Sequence, residues 1–104
     1  MNTNVTKHAV KKMKERNGLP KKSSKRIAQK ALEFGIKHSD SRGKLRKYMD
    51  GLFLRHKNAN NNRIYNDSVY IFQGDLLITS FHLDSSLIPL ARKIQKQLKE
   101  KENE

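Results

Sequence analysis

Four residues have side chains of the types that metal-independent RNA cleavage requires: His8, Arg63, Tyr70 and Thr79. That reaction needs a base for the 2′-hydroxyl proton, an acid for the leaving oxygen, and cations that stabilise the phosphorane. Of the four, His8 is the residue whose proton moves near neutral pH, so it is the predicted general acid or base. Arg63 would supply positive charge, and Tyr70 or Thr79 would position the phosphate. The competing interpretation is that His8 is an ordinary polar residue on a basic helix.

His8 belongs to a basic segment, "VTKHAVKKMKER", at residues 5–16. A spacing of four residues places His8, Lys12 and Arg16 along one flank of a helix. The apolar positions of that helix, which would face the core, are Val5, Ala9 and Met13. The residues that we predict to bind nucleic acid extend to later basic segments and one tyrosine: Lys11, Lys12, Arg16, Lys44, Arg46, Lys47, Arg55 and Tyr65.

Positive charge is concentrated in the first half of the chain. The net charge is +13, and residues 1–57 contain 17 Lys/Arg and 4 Asp/Glu, whereas residues 58–104 contain 6 of each. Such an excess favours contact with phosphate backbones, because lysines and arginines that neutralise phosphates release the counterions condensed on the nucleic acid. We therefore expect a nucleic-acid partner or a nucleoprotein complex. The alternatives are solvated helix faces and an acidic protein partner of the antitoxin kind.

The composition does not favour other functional classes. The 104 residues fit a single domain, residues 1–104. The absence of cysteine excludes disulfides and thiolate metal sites. The four histidines lack the spacing of metal ligands, so we predict no metal and no cofactor. No apolar run is long enough to span a membrane, and the N-terminus lacks a secretory pattern, so we expect no membrane partner and a cytoplasmic location.

Helical periodicity predicts two helices before residue 36. The first covers residues 5–16 and ends at "NGLP", residues 17–20, where Asn-Gly permits positive φ and proline prevents continuation. The second begins at Ser23 or Ser24, since serine is a good N-cap, and its apolar residues fall at helical spacing. Gly35 is the predicted C-terminal cap of this helix.

A third helix is predicted before the strand region. It follows a loop over residues 37–43 and extends from Lys44 to about residue 55, with apolar residues at helical spacing. The alternative for part of this stretch is a short strand at "GLFLRH". Residues 58–62 are a loop or the lead-in to a strand.

The segment "RIYNDSVYIFQGDLLITSFHL", residues 63–83, has the two-residue period of β-strands. Two-residue turns at residues 66–67 and 74–75 divide it into a three-stranded antiparallel meander. A final helix begins at residue 85 or 86, packs on the sheet, and leads to a frayed charged tail at residues 99–104. The predicted fold class is therefore α+β, with N-terminal helices, the meander and a C-terminal helix in that order.

The two-residue turns also fix a register, in which Arg63 faces Tyr70, Tyr70 faces Thr79 and Phe72 faces Leu77. One face of the meander is then aliphatic and packs against the helices; it carries Ile64, Val69, Ile71, Leu76, Ile78 and Ser80. The other face is mixed and carries Arg63, Tyr65, Tyr70, Phe72, Leu77, Thr79 and Phe81. We expect the mixed face to be open, with the row Arg63–Tyr70–Thr79 available to phosphates and bases.

"HAVKKMKER", residues 8–16, resembles the HAxxRMxER-like opening of small bacterial and mobile-element domains, and the meander resembles their closing strands. The order of helix and meander is similar to that of the barnase–EndoU–colicin–RelE superfamily of metal-independent ribonucleases, many of them toxins. The resemblance implies an RNA-cleaving or RNA-binding face, with His8 as the acid or base, Lys12 and Arg16 on phosphate, and Thr79 at the site. Lys12 stands where the pattern has arginine, and lysine lacks the bidentate fork.

Two functions are consistent with these features. The first is a metal-independent endoribonuclease of the toxin type. The second is a non-catalytic phage or mobile-element protein that binds nucleic acid or a nucleoprotein complex, such as an inhibitor of a host defence system. A protein–protein adaptor is a third interpretation, which predicts no affinity for nucleic acid at low salt.

Overall fold

The structure is a computed structural model that describes residues 4–18, 21–56 and 61–102. Within these ranges a mixed four-stranded sheet lies between two pairs of α-helices, and the predicted α+β class is confirmed. The elements in chain order are β1 (Asn4–Val5), α1 (Lys7–Asn17), α2 (Lys21–Phe34), α3 (Gly43–Arg55), β2 (Asn61–Tyr65), β3 (Ser68–Gln73), β4 (Leu76–His82) and α4 (Ile88–Glu102). Short 3-10 turns at His38–Asp40 and Ser85–Leu87 precede α3 and α4.

The sheet has the strand order β1-β4-β3-β2. Strands β2, β3 and β4 pair antiparallel through two-residue turns, as in the predicted meander. In the first turn Asn66 and Asp67 both have positive φ, 48° and 64°, and this conformation matches the twist of the flanking strands.

The prediction of three strands was wrong, because a fourth strand precedes the first helix. Asn4 and Val5 pair in parallel with the beginning of β4 instead of starting α1. Thr6 then caps α1, since its Oγ1 accepts a hydrogen bond from the amide of Ala9 at 3.1 Å. The same hydroxyl donates to the carbonyl of Ile78 at 3.1 Å, so one threonine joins the helix start to β4.

Strand β4 contains one more residue than β3 near the centre of the pair. Ile71 and Phe72 are consecutive on β3, but their partners on β4 are Thr79 and Leu77. The pairing of Phe72 with Leu77 is as predicted. Ile78 is the extra residue, which defines a β-bulge, and every position after it lies on the face opposite to the one predicted.

The bulge overturns the predicted row across three strands. Arg63 faces Tyr70 as predicted, but Tyr70 faces Ser80 and not Thr79. Thr79 lies on the other face of the sheet, and so does Phe81, which packs against the α3–α4 side. The predicted juxtaposition of a cation, a phenol and a threonine hydroxyl was therefore wrong.

Helices cover both faces of the sheet. Helices α3 and α4 cover the face that carries Ile64, Val69 and Ile71. Helices α1 and α2 cover the face that the sequence predicted to be open, and its core consists of Ala9, Met13, Ala28, Ala31, Tyr70, Phe72 and Leu77. The expectation of helices on one face only was wrong, because the small residues of α1 and α2 let these helices approach and bury the sheet aromatics.

Several predicted helix ends need correction. Helix α2 covers Lys21–Phe34 and Ser24 lies inside it, 1% exposed, so neither serine is the N-cap. The helix predicted over residues 44–55 is confirmed as α3. Helix α4 includes residues 99–102, and the fraying of the tail stays a prediction. Predictions that involve Pro20, residues 58–60 and residues 103–104 lie outside the described residues.

Candidate nucleic-acid interface

The outer side of α1 and α2 is strongly basic. These helices turn Ala9, Met13, Ala28 and Ala31 towards the sheet, which leaves most of their charged residues in solvent. Together the two helices contain ten Lys/Arg and two Glu. We call their exposed face the α1–α2 surface; its exposed cations are Lys7, Lys11, Lys14, Arg16, Lys22, Lys25, Arg26 and Lys30.

Few of these charges are neutralised within the molecule. Lys12, half-buried at the edge of the surface, lies 3.6 Å from Glu15. Glu33 accepts a hydrogen bond from Gln29 at 3.2 Å. No exposed cation of the α1–α2 surface forms an ion pair within the described ranges. The surface therefore carries an excess of positive charge that is not neutralised by ion pairs among the described residues.

The predicted binding residues do not form one surface. Lys11, Lys12 and Arg16 lie on α1, but the basic residues of α3 lie on the other side of the sheet. Those residues are Lys44, Arg46, Lys47 and Arg55, all exposed. Tyr65, on the edge strand β2, is half-buried against the α1–α2 core. A straight nucleic-acid segment could contact α1 or α3, but not both.

Arg16 also holds the end of α1 against β4. Its guanidinium donates to the carbonyl of Ser80 at 3.1 Å and lies 6.0 Å from the ring centre of Phe81, within cation–π distance. The imidazole of His82 lies 2.6 Å from the carbonyl of Arg16. Nothing in the sequence pattern indicated the partnership of Arg16 and His82, because the residues are 66 positions apart.

Of the four predicted catalytic residues, His8 alone is exposed. It lies near the start of α1, and its side chain makes no hydrogen bond within the described part of the chain. Tyr70 is 2% exposed beneath α1 and α2. Thr79 is on the opposite face of the sheet, and Arg63 is bound to backbone carbonyls. The structure does not bring the four side chains together on an open surface.

Arg63 fastens β2 to the end of α2. Its Nε donates to the carbonyl of Leu32 at 3.3 Å, and its Nη1 donates to the carbonyl of Asn62 at 3.2 Å and to the side-chain oxygen of Asn61. Burial lowers the pKa of the guanidinium, and the charge of Asp40 partly opposes that effect. The predicted role of Arg63 in charge stabilisation stays a prediction, and its observed role is structural.

The buried phenol of Tyr70 predicts a fall in stability at alkaline pH. Burial, with a smaller contribution from Tyr65, raises its pKa to about 12. The folded state therefore favours the neutral phenol. This stabilisation is fully present below the ordinary tyrosine pKa of about 10 and is lost as the pH rises towards 12. We expect the free energy of unfolding to fall by about 2 kcal/mol between about pH 9 and about pH 11.5 from this group alone.

Urea unfolding of the wild type and of Tyr70→Phe at both pH values measures that contribution. Lysines and other tyrosines also titrate in this range, so the difference between the two proteins isolates Tyr70. An equal fall in both would show that the phenol is not held neutral by the fold.

No match to the chain is found among protein-family models, curated proteins or solved structures. Within the described residues no group of three or more His, Asp or Glu side chains could hold a metal ion. None of the described helices is long and apolar enough to cross a membrane.

Proposed function

We propose that this chain binds nucleic acid, RNA in preference to DNA, through the α1–α2 surface. The observation that supports the proposal is the ratio of ten Lys/Arg to two Glu on two adjacent helices that form one layer. The opposite layer, α3 and α4, is less one-sided, with nine Lys/Arg and three Asp/Glu, and its Arg92 is neutralised by Asp67 at 2.6 Å.

The binding would be directed mainly at the phosphate backbone. Exposed lysines and arginines neutralise phosphates and release counterions without reading a sequence. Among the described side chains of α1 and α2, eight of the twelve exposed ones are Lys or Arg, and the sheet aromatics Tyr70 and Phe72 lie in the core. We therefore expect high affinity at low salt, weak dependence on nucleotide sequence and strong dependence on ionic strength.

Non-catalytic binding agrees with the structure better than cleavage does. Cleavage would leave His8 to act without Tyr70, which is buried, and without Thr79, which lies on the opposite face of the sheet. The resemblance to ribonuclease toxins supports an RNA target more than it supports turnover. A mobile-element or phage protein that coats RNA or a nucleoprotein complex fits this surface.

Neutralising part of the α1–α2 surface is expected to weaken RNA binding. The triple variant Lys7→Gln, Lys11→Gln, Lys14→Gln removes one exposed row of α1. The expected loss in affinity for a labelled single-stranded RNA is about tenfold or more at roughly 50 mM salt, and the salt slope falls by about 2. Fluorescence anisotropy measures both the affinity and the salt slope. The same titrations with duplex DNA test the preference for RNA.

The matched control is Lys44→Gln, Lys47→Gln, Lys93→Gln, which removes the same charge from the opposite layer. We expect it to change affinity less than about twofold beyond the general effect of net charge. Equal losses in both triple variants, or no RNA binding by the wild type, would refute the assignment of the surface.

Cleavage is tested by incubating the wild type and His8→Ala with RNA in the presence of a metal chelator. The catalytic hypothesis requires that the wild type form cleavage products and that His8→Ala not form them.

A further inference from the structure

Arg63 is a buried cation that forms no ion pair, although the charge of Asp40 acts on it and partly compensates for its burial. It is 9% exposed, and within the described residues no Asp or Glu forms an ion pair with it. Buried charges are normally paired, because removal from water is otherwise costly. An unpaired buried guanidinium is therefore an unusual feature that calls for an anionic partner.

The guanidinium is held in a fixed position. Its Nε and Nη1 donate to the oxygens of Leu32, Asn61 and Asn62. Asn61 is itself fixed, since its side-chain amide donates to the carbonyl of Gly74 at 2.8 Å. The Nη2 group has no hydrogen-bond partner among the described residues, so its N–H groups remain available to a ligand.

Arg63 lines a cavity of about 400 Å³ between the end of α2 and the turn that joins β3 to β4. Lys37 contributes a second cation to this cavity, and Glu33 and Asp75 contribute two carboxylates. All three of these side chains are exposed, so they lie at the rim while Arg63 is deeper. Cations beside carboxylates suit a ligand that carries both an anion and hydroxyl donors.

We propose that this cavity binds a ribose phosphate, with the phosphate on Arg63 and Lys37 and the ribose hydroxyls on Asp75 and Glu33. Guanidinium and ammonium groups are the usual phosphate partners, and a carboxylate is the usual acceptor for ribose hydroxyls. The ligand is a free nucleotide or a nucleotide at the end of an RNA strand. The inference does not depend on the α1–α2 surface, which is formed by other residues.

Titration with adenosine monophosphate, followed by calorimetry or by NMR shifts of Arg63 and Asn61, tests the proposal. The wild type should bind it, and Lys37→Gln should weaken binding by about tenfold through the loss of one charge-assisted contact. Lys93→Gln, an exposed α4 lysine outside both the cavity and the α1–α2 surface, is the matched control and should have no such effect. Arg63→Lys tests the deeper cation, and its thermal melt shows whether the fold is kept.

The proposed contact of the carboxylates with the ribose is tested by removing the 2′-hydroxyl from the ligand. The 2′-deoxy analogue should bind several-fold more weakly than the ribonucleotide to the wild type, and Asp75→Asn should abolish that difference, whereas Glu100→Gln should not. Competition by a short single-stranded RNA identifies a strand end as the source, and failure to compete identifies a free nucleotide. Absence of binding, or equal weakening by Lys93→Gln and Lys37→Gln, would overturn the proposal, and so would equal affinity for inorganic phosphate and the nucleotide.

Discussion

Raising the salt concentration from about 50 mM to about 200 mM is expected to weaken RNA binding roughly 300-fold, if six phosphates are neutralised at the α1–α2 surface. On single strands the logarithm of affinity falls by about 0.7 per neutralised phosphate for each tenfold rise in salt. Six contacts would use most of the exposed cations on α1 and α2. The expected slope is therefore about −4.

Anisotropy titrations at several salt concentrations measure this slope directly. The Lys7, Lys11, Lys14 triple variant should give a shallower line, and the variant of the opposite layer should give a line parallel to that of the wild type. A slope near zero would contradict phosphate binding altogether. The cavity around Arg63 could still bind a nucleotide in that event, so the two proposals can fail separately.

Replacing Gly35 by alanine is expected to cost about 3 kcal/mol of folding stability, or roughly 100-fold in the folding equilibrium. A Cβ at this position would lie 2.4 Å from the carbonyl oxygen of Ala31 and 3.0 Å from the Cβ of Arg63. Both neighbours are held in place, since Gly35 donates its amide to the same carbonyl at 2.9 Å and Arg63 is fastened to α2. To make room for the added Cβ, the C-terminal end of α2 would have to distort at Ala31 and move away from Arg63 on β2.

Gly51→Ala is the matched control for that substitution. Gly51 lies within α3, and a Cβ there meets no atom within 4 Å. Because alanine is a better helix former, this variant should be more stable than the wild type by about 0.5–1 kcal/mol. Urea unfolding of both variants measures the contrast. Equal stability of Gly35→Ala and the wild type would show that α2 does not approach Arg63 as closely as the structure indicates.

Local features of the chain were predictable from sequence. The turns at residues 66–67 and 74–75 have the residue types that such turns require, and the helix over residues 44–55 follows its apolar periodicity. The positions of Ala9 and Met13 on the inner side of α1 were also read correctly from a period of 3.6 residues. Each of these depends on contacts within a short segment.

The errors concern arrangements that depend on distant residues. A bulge at Ile78 has no local signal in a run of strand-forming residues, yet it moves Thr79 to the other face. Strand β1 has two residues, too few for any periodicity. Tyr70 is buried because α1 and α2 pack on its face of the sheet. Sequence periodicity does not specify on which face of the sheet a helix packs.

The candidate site shows the same division. The concentration of positive charge in the first half is plain in the sequence, whereas its location on one outer layer depends on the topology of the sheet. Arg63 was selected for its chemical type, but its burial and its bonds to Leu32 and Asn62 follow from the approach of α2 to β2.

The contact of Arg16 with β4 has a consequence for self-association. Strand β1 accompanies β4 only as far as Leu77, so beyond that point the outer rim of β4 has no neighbouring strand among the described residues. A bare rim of this kind invites another polypeptide to add a strand and start aggregation. Because the guanidinium of Arg16 donates to the carbonyl of Ser80, that acceptor on the rim is already used and an incoming strand could not pair with it.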